Sequence, residues 1–214
     1  MSNRKITKYI EIWNRKLHIY IGLCLLLFLW LFFITGLAKN HPEWSFFHFW
    51  ENRDLSSSEK PIQVPTDNDD LAKARDIMAQ LHISGEITWT VVTPMEDQFN
   101  FRVTKPGKII DVKTNLREGR AKVEQIKLDT LGITDMLHTY NGVSMNDPKQ
   151  NRDWFMTKIW SFLMDAVCIG LIFLVLSGIY TWYNRSKKRL WGVFVLVIAF
   201  LVCGFFAFGL GWMP

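Results

Sequence analysis

The chain has 214 residues, 25 Lys and Arg against 20 Asp and Glu, and 49% hydrophobic residues, averages that a soluble domain would also show. The charges are unevenly spread: residues 17–38 carry none, residues 159–183 carry only Asp165, and residues 190–214 carry none. At about 1.5 Å per residue, each stretch is long enough as a helix to cross the roughly 30 Å hydrocarbon core of a bilayer. That excludes a soluble globule, a disordered chain and a nucleic-acid-binding reading of the +5 net charge.

Residues 1–16, read as a cytoplasmic N-terminus, hold Arg4, Lys5, Lys8, Arg15 and Lys16 against Glu11. The span at 17–38 follows. It is longer than the 7–15 residues usual in a secretory signal, and Thr35-Gly36-Leu37-Ala38 leads into Lys39 without a convincing cleavage site. It is expected to stay as an anchor. Residues 39–66 form an interfacial segment dense in aromatics, from His41 to Trp50, and then a polar, proline-bounded linker over 56–65.

Residues 67–140 read as a small α+β domain. Asp67 or Asn68 can cap a helix over 68–81, in which Leu71, Ala74, Ile77, Met78 and Leu81 fall at helical spacing. Alternating stretches at 86–93, 98–105, 108–114 and 120–129 predict three or four antiparallel strands, with turns at 94–97 and 106–107. A short helix over 130–139 closes the unit, and 141–157 is a return segment. A second span at 158–183, a basic cytoplasmic loop at 184–189 (Arg185, Lys187, Lys188, Arg189) and a third span at 190–214 complete the chain.

Short basic segments beside a span stay in the cytoplasm, whereas a long domain crosses regardless of its charge. Residues 39–157, with 15 basic and 18 acidic side chains, are therefore expected outside, with the N-terminus in and the C-terminus out. Tryptophans near the span ends, among them Trp13, Trp44, Trp160, Trp182 and Trp191, agree with interfacial belts. Small residues at every fourth position of the last span (Ala199, Cys203, Ala207, Gly211) suit close packing, within this bundle or against a second copy or another membrane protein.

Cys24, Cys168 and Cys203 all fall in apolar stretches, so a disulfide framework is not expected, and no CxxC exists for dithiol chemistry or covalent haem. No Gly-x-Ser-x-Gly, His-Glu-x-x-His or Gly-rich phosphate loop occurs. A membrane b-type cytochrome needs two axial ligands facing each other. His18 stands at the inner end of the first span, roughly 30 Å of helix from the outer mouth, and the other two spans contain no histidine. One chain cannot clamp a haem between His18 and an outer histidine. A site between His138 and His41 or His48, a His–Met pair, or His18 from two protomers remains open. His82 ends a soluble helix and is set aside.

Asp165 is the one acid within a span, and intramembrane ionisable residues are functional candidates by default. Lys158, two turns up the same helix face, Lys39, an outer histidine and Thr35 are its candidate partners.

The motif Trp13-Asn-Arg-Lys-Leu-His18-Ile-Tyr-Ile-Gly22, with its apolar run closing on Thr35-Gly36-Leu37, resembles the opening of the PepSY-associated transmembrane proteins. The helix and strands of 67–129 look like a PepSY domain. Leu137-His138-Thr-Tyr-Asn-Gly142, followed by a span ending Leu176-Ser-Gly178-Ile-Tyr-Thr-Trp182, is similar to that family's second signature. The resemblance implies a bacterial inner-membrane protein with an extracytoplasmic PepSY-like binding or regulatory module. This chain departs from the larger members in having three transmembrane helices rather than four or more and in lacking their extra helical histidines. It would be a non-enzymatic accessory in iron, haem or respiratory redox handling. Larger relatives include ferric-siderophore reductases carrying haem b, and positions like His18 and His138 are their candidates for haem ligation. A small haem-dependent reductase is therefore the alternative.

Overall fold

A computed structural model of the chain describes residues 3–41, 43–45, 48, 50–93, 98–141, 153–187, 189–209 and 211. The predicted turn at 94–97, most of the return segment and much of the aromatic segment lie outside the described residues. The fold divides into two compact units, one made of Met1–Leu25 with Cys168–Pro214 and the other of Leu26–Val167. Helix α1 (Asn3–Asn40) and helix α4 (Phe155–Arg185) each contribute to both.

Three helices are long and apolar enough to cross a membrane: Lys5–Asn40, Phe155–Arg185 and Arg189–Gly209. The third comprises helix α5 (Arg189–Gly204) and a π-helical turn, Phe205–Gly209. That turn interrupts the every-fourth spacing that would align Ala207 with Ala199 and Cys203.

In the first unit, glycines let α1 and α4 approach. A Cβ on Gly170 would stand 2.8 Å from Leu25 Cδ1, and one on Gly22 would meet Leu174. The second unit is built on a five-stranded antiparallel sheet of order β1-β5-β4-β3-β2, with strands β1 (Asp54–Pro61), β2 (Glu86–Thr93), β3 (Gln98–Lys105), β4 (Lys108–Asn115) and β5 (Arg120–Lys127). Phe99, Phe101 and Val103 alternate along β3 and join Val112 and Ala121 on one face. Helix α2 (Asp70–Leu81) covers that face with Ala74, Ile77 and Leu81.

Asp69, one or two residues after the predicted cap, is the residue that caps α2, its Oδ2 accepting from Ala72 N at 3.0 Å. His82 ends α2 in the left-handed region (φ 55°), and Ile83 N closes the last turn on Met78 O at 2.9 Å.

The linker expected over 56–65 is corrected by the structure. Asp54–Pro61 is strand β1, paired with β5 from Asp54↔Lys127 to Pro61↔Arg120. Every residue of β1 is exposed, so main-chain hydrogen bonds rather than buried side chains hold it at the sheet edge. The sheet thus has one strand more than the upper expectation.

A bulge between Ile87 and Trp89 shifts the register. Ile87 stays in the core, while Trp89 turns to the opposite face, where the Arg102 guanidinium lies 5.4 Å from its ring. Arg102 is also bidentate to Asp111, at 2.6 and 2.9 Å. Further along the same face Glu124 accepts from Lys113 and from Lys122, both at 2.7 Å. Those bonds, Lys113's first, hold the Glu124 carboxyl down from 4.5 to about 2.

The folded value lies below the ordinary one, so this contribution is complete above about pH 4.5 and is lost as the pH falls towards 2. An NMR titration of the Glu124 carboxyl carbon is expected to show this low midpoint. Lys113→Gln should move it back towards the ordinary carboxylate value.

Candidate functional site

The residues that gather around His138 come from α1, α3, α4 and the sheet. Helix α3 (Thr130–Thr139) is capped by Asp129, whose Oδ1 accepts from Gly132 N at 2.8 Å. It seats on the β3–β4 turn, where Leu128 N donates to Gly107 O at 2.9 Å and Ile133 lies over Gly107. Its outer residues then reach α1: Lys39 Nζ stands 2.7 Å from Asp135, and His138 Nδ1 lies 2.5 Å from Thr35 Oγ1. The His138 ring also meets Phe32 edge-on, with centroids 5.1 Å apart.

The Thr35 hydroxyl proton is already committed, donated to Leu31 O at 2.7 Å. His138 Nδ1 must therefore be the donor to Thr35 Oγ1, and in the neutral ring Nε2 is left as a bare lone pair.

Tyr140, just beyond α3, ties the same unit to α4. Its hydroxyl donates to Thr104 O at 3.3 Å and lies 3.0 Å from Thr157 Oγ1, while Trp160 Nε1 donates to Tyr140 O at 3.1 Å. Burial pushes the Tyr140 pKa up despite the Thr157 hydrogen bond, so the phenol keeps its proton. Glu86, 1% exposed at the start of β2, accepts from Asp153 N at 2.7 Å and Trp154 N at 3.0 Å. Those amides precede the first turn of α4, so Glu86 anchors and caps that helix. Arg75 of α2 pairs with the Asp153 carboxylate at 2.7 Å.

In the other unit, His18 Nδ1 lies 2.6 Å from Ser177 Oγ. Asn14 Nδ2 donates to Ser177 O at 3.3 Å and to Thr181 Oγ1 at 3.0 Å, and Thr181 Oγ1 donates to Ser177 O at 2.8 Å. Four polar side chains thus satisfy one another between two apolar helices.

The remaining predicted site residues are dispersed. His41 bonds Glu43 at 3.1 Å and stacks on Trp44, and His48 faces Glu51 at 3.5 Å, so each of these two partners its own segment. No group of three or more His, Cys, Asp or Glu able to hold a metal occurs among the described residues. Asp165 is exposed on α4 and has no hydrogen bond or ion pair among the described residues. Of its expected partners, Thr35 bonds His138 instead, Lys39 pairs with Asp135, and Lys158 makes no ion pair with it. Glu86, Tyr140, Asn14 and Ser177 were not singled out from the sequence. The one signal available was that Thr35 and Ser177 each precede a glycine within the family-like motifs.

Comparison with the curated proteins and with the solved structures finds no match. The family model of the PepSY-associated TM region matches residues 15–208, from the first span to the last turn of the third. With three spans, an interposed sheet and that match across nearly its whole length, the chain belongs to the family of PepSY-associated transmembrane proteins.

Proposed function

We propose that the chain carries its sheet as a binding or regulatory module on the outer face of the bacterial cytoplasmic membrane, with the N-terminus and the 184–189 loop inside. In this reading it is a non-enzymatic accessory in iron, haem or respiratory redox handling. The observation that carries the module reading is the sheet face opposite α2. There Leu55, Ser57, Asp111, Lys122, Glu124 and Ile126 border an open cleft of about 370 Å³, with charges of both signs beside apolar surface. The uneven basic charge supports the orientation. No residue of α5 is buried, which supports leaving its Ala199, Cys203, Ala207 and Gly211 to lipid, a second copy or a membrane-protein partner.

One observation favours the alternative, a haem b-containing reductase resembling the ferric-siderophore enzymes. His18 and His138 both use Nδ1 for a hydroxyl, and at His138 this leaves Nε2 as a lone pair suited to axial ligation. Haem, when bound, supplies one-electron chemistry; His138 would contribute one axial ligand and orient it.

The visible spectrum of the full chain purified from haem-replete cells separates the two. The accessory reading expects no Soret band. It also expects His138→Ala to lower stability by only about 1 kcal/mol, the net worth of one hydrogen bond. A b-type Soret band that disappears in His138→Ala overturns it.

A further inference from the structure

We propose that the corner between α4 and α5 binds the headgroup of an anionic phospholipid. After Asp165, which precedes Arg185 by several helical turns, the chain has no acidic side chain, so Arg185, Lys187 and Arg189 have no acid near them along the chain. Among the described residues none of the three is in an ion pair or a side-chain hydrogen bond.

The corner is nevertheless shaped. The Arg189 guanidinium lies 4.5 Å from the Tyr183 ring centroid, and Gly192 gives the Trp182 indole room that a Cβ would occupy. Ser186, Lys187, Arg189, Leu190 and Trp191 line an open hollow of about 770 Å³. Leu190 is 85% and Trp191 68% exposed. A second, water-sized recess of about 20 Å³ lies beside Arg15, Asn14, Asn184 and Arg185, with Glu11 as its one acid.

A lining that combines cationic and hydroxyl donors with apolar side chains matches a phosphodiester joined to a glycerol and its acyl chains. Free phosphate would use the cationic and hydroxyl groups only, so the exposed Leu190 and Trp191 commit the site to a lipid.

The test is thermal unfolding of the full chain in neutral detergent, followed by tryptophan fluorescence. Phosphatidylglycerol is expected to raise the midpoint by about 5 °C, as a ligand well above its Kd does, and phosphatidylcholine or sodium phosphate to leave it unchanged. Lys187→Gln/Arg189→Gln should lose most of that shift. Lys5→Gln/Lys8→Gln removes the same charge from the start of α1 and should keep it. Equal shifts in the two double variants would mean diffuse attraction to the whole basic end and overturn the proposal, as would a shift reproduced by free phosphate. Native mass spectrometry of the unmodified chain gives a reading independent of any variant. One retained phosphatidylglycerol is expected, and a graded ladder of adducts or none contradicts the site.

Discussion

Replacing Glu86 by alanine is expected to lower the stability of the sheet-containing unit by about 3 kcal/mol, the loss of two charge-assisted hydrogen bonds to main-chain amides. Glu86 is the largest buried acidic side chain of the sheet, and both of its partners belong to the segment that starts α4. Alanine leaves the Asp153 and Trp154 amides without their acceptor and removes negative charge from a helix N-terminus. Glu86→Gln keeps one acceptor oxygen but presents an amide donor to the second N–H, so its loss should fall between wild type and alanine. Thermal unfolding of the full chain gives the ranking, and limited proteolysis around Asp153 shows where the chain loosens. A Gln variant as stable as wild type would show that shape, not the two hydrogen bonds, is what matters there.

The reason Glu86 escaped a reading of the sequence is instructive. In Glu-Ile-Thr-Trp it looks like the polar partner of an ordinary alternating strand, the side chain that faces water. Which face of β2 meets water depends on where the return segment arrives, 67 positions later, and on the bulge at Thr88 that reverses the alternation for Trp89. Hydrophobic period reports burial against apolar neighbours and is silent about a carboxylate buried among amides.

Strand β1 was hidden for a related reason. Asp-Leu-Ser-Ser-Ser-Glu-Lys-Pro buries no side chain, so no apolar alternation marks it, and the serines, Lys60 and Pro61 that read as linker are residues that protect a sheet edge. The spans, α2, α3 and the four remaining strands were legible because each carries its own periodicity. His138 stood out by its motif, but Thr35 lies 103 residues away and its pairing is a tertiary fact. The same contact removes Thr35 from the expected surroundings of Asp165.

The largest effect away from Glu86 is expected at Gly107, where all of the α3 contacts depend on one turn. Gly107 sits at φ +81°, a region that costs an L residue roughly 1–2 kcal/mol, and a Cβ there would stand 2.5 Å from Ile133 Cγ1. Displacing Ile133 from the turn adds roughly 1–3 kcal/mol of overpacking, so Gly107→Ala should cost about 3 kcal/mol in total. The cost is directional. Ile133 is in the middle of α3, between the cap at Asp129 and the two side chains, Asp135 and His138, that hold α1. If Ile133 is pushed off the sheet, α3 must either carry those contacts away from α1 or give them up. Gly36→Ala, where a Cβ meets nothing within 4 Å, is the matched control and should leave the midpoint unchanged or slightly raised. Hydrogen exchange distinguishes local release from general unfolding. Gly107→Ala is expected to speed exchange in α3 and at the C-terminal end of α1 while leaving α2, which packs on the sheet core rather than on the Gly107 turn, protected. Uniform loss of protection across α2 and α3 would mean instead that the sheet-containing unit unfolds as one body, and that α3 is not the separable link between the sheet and the first span.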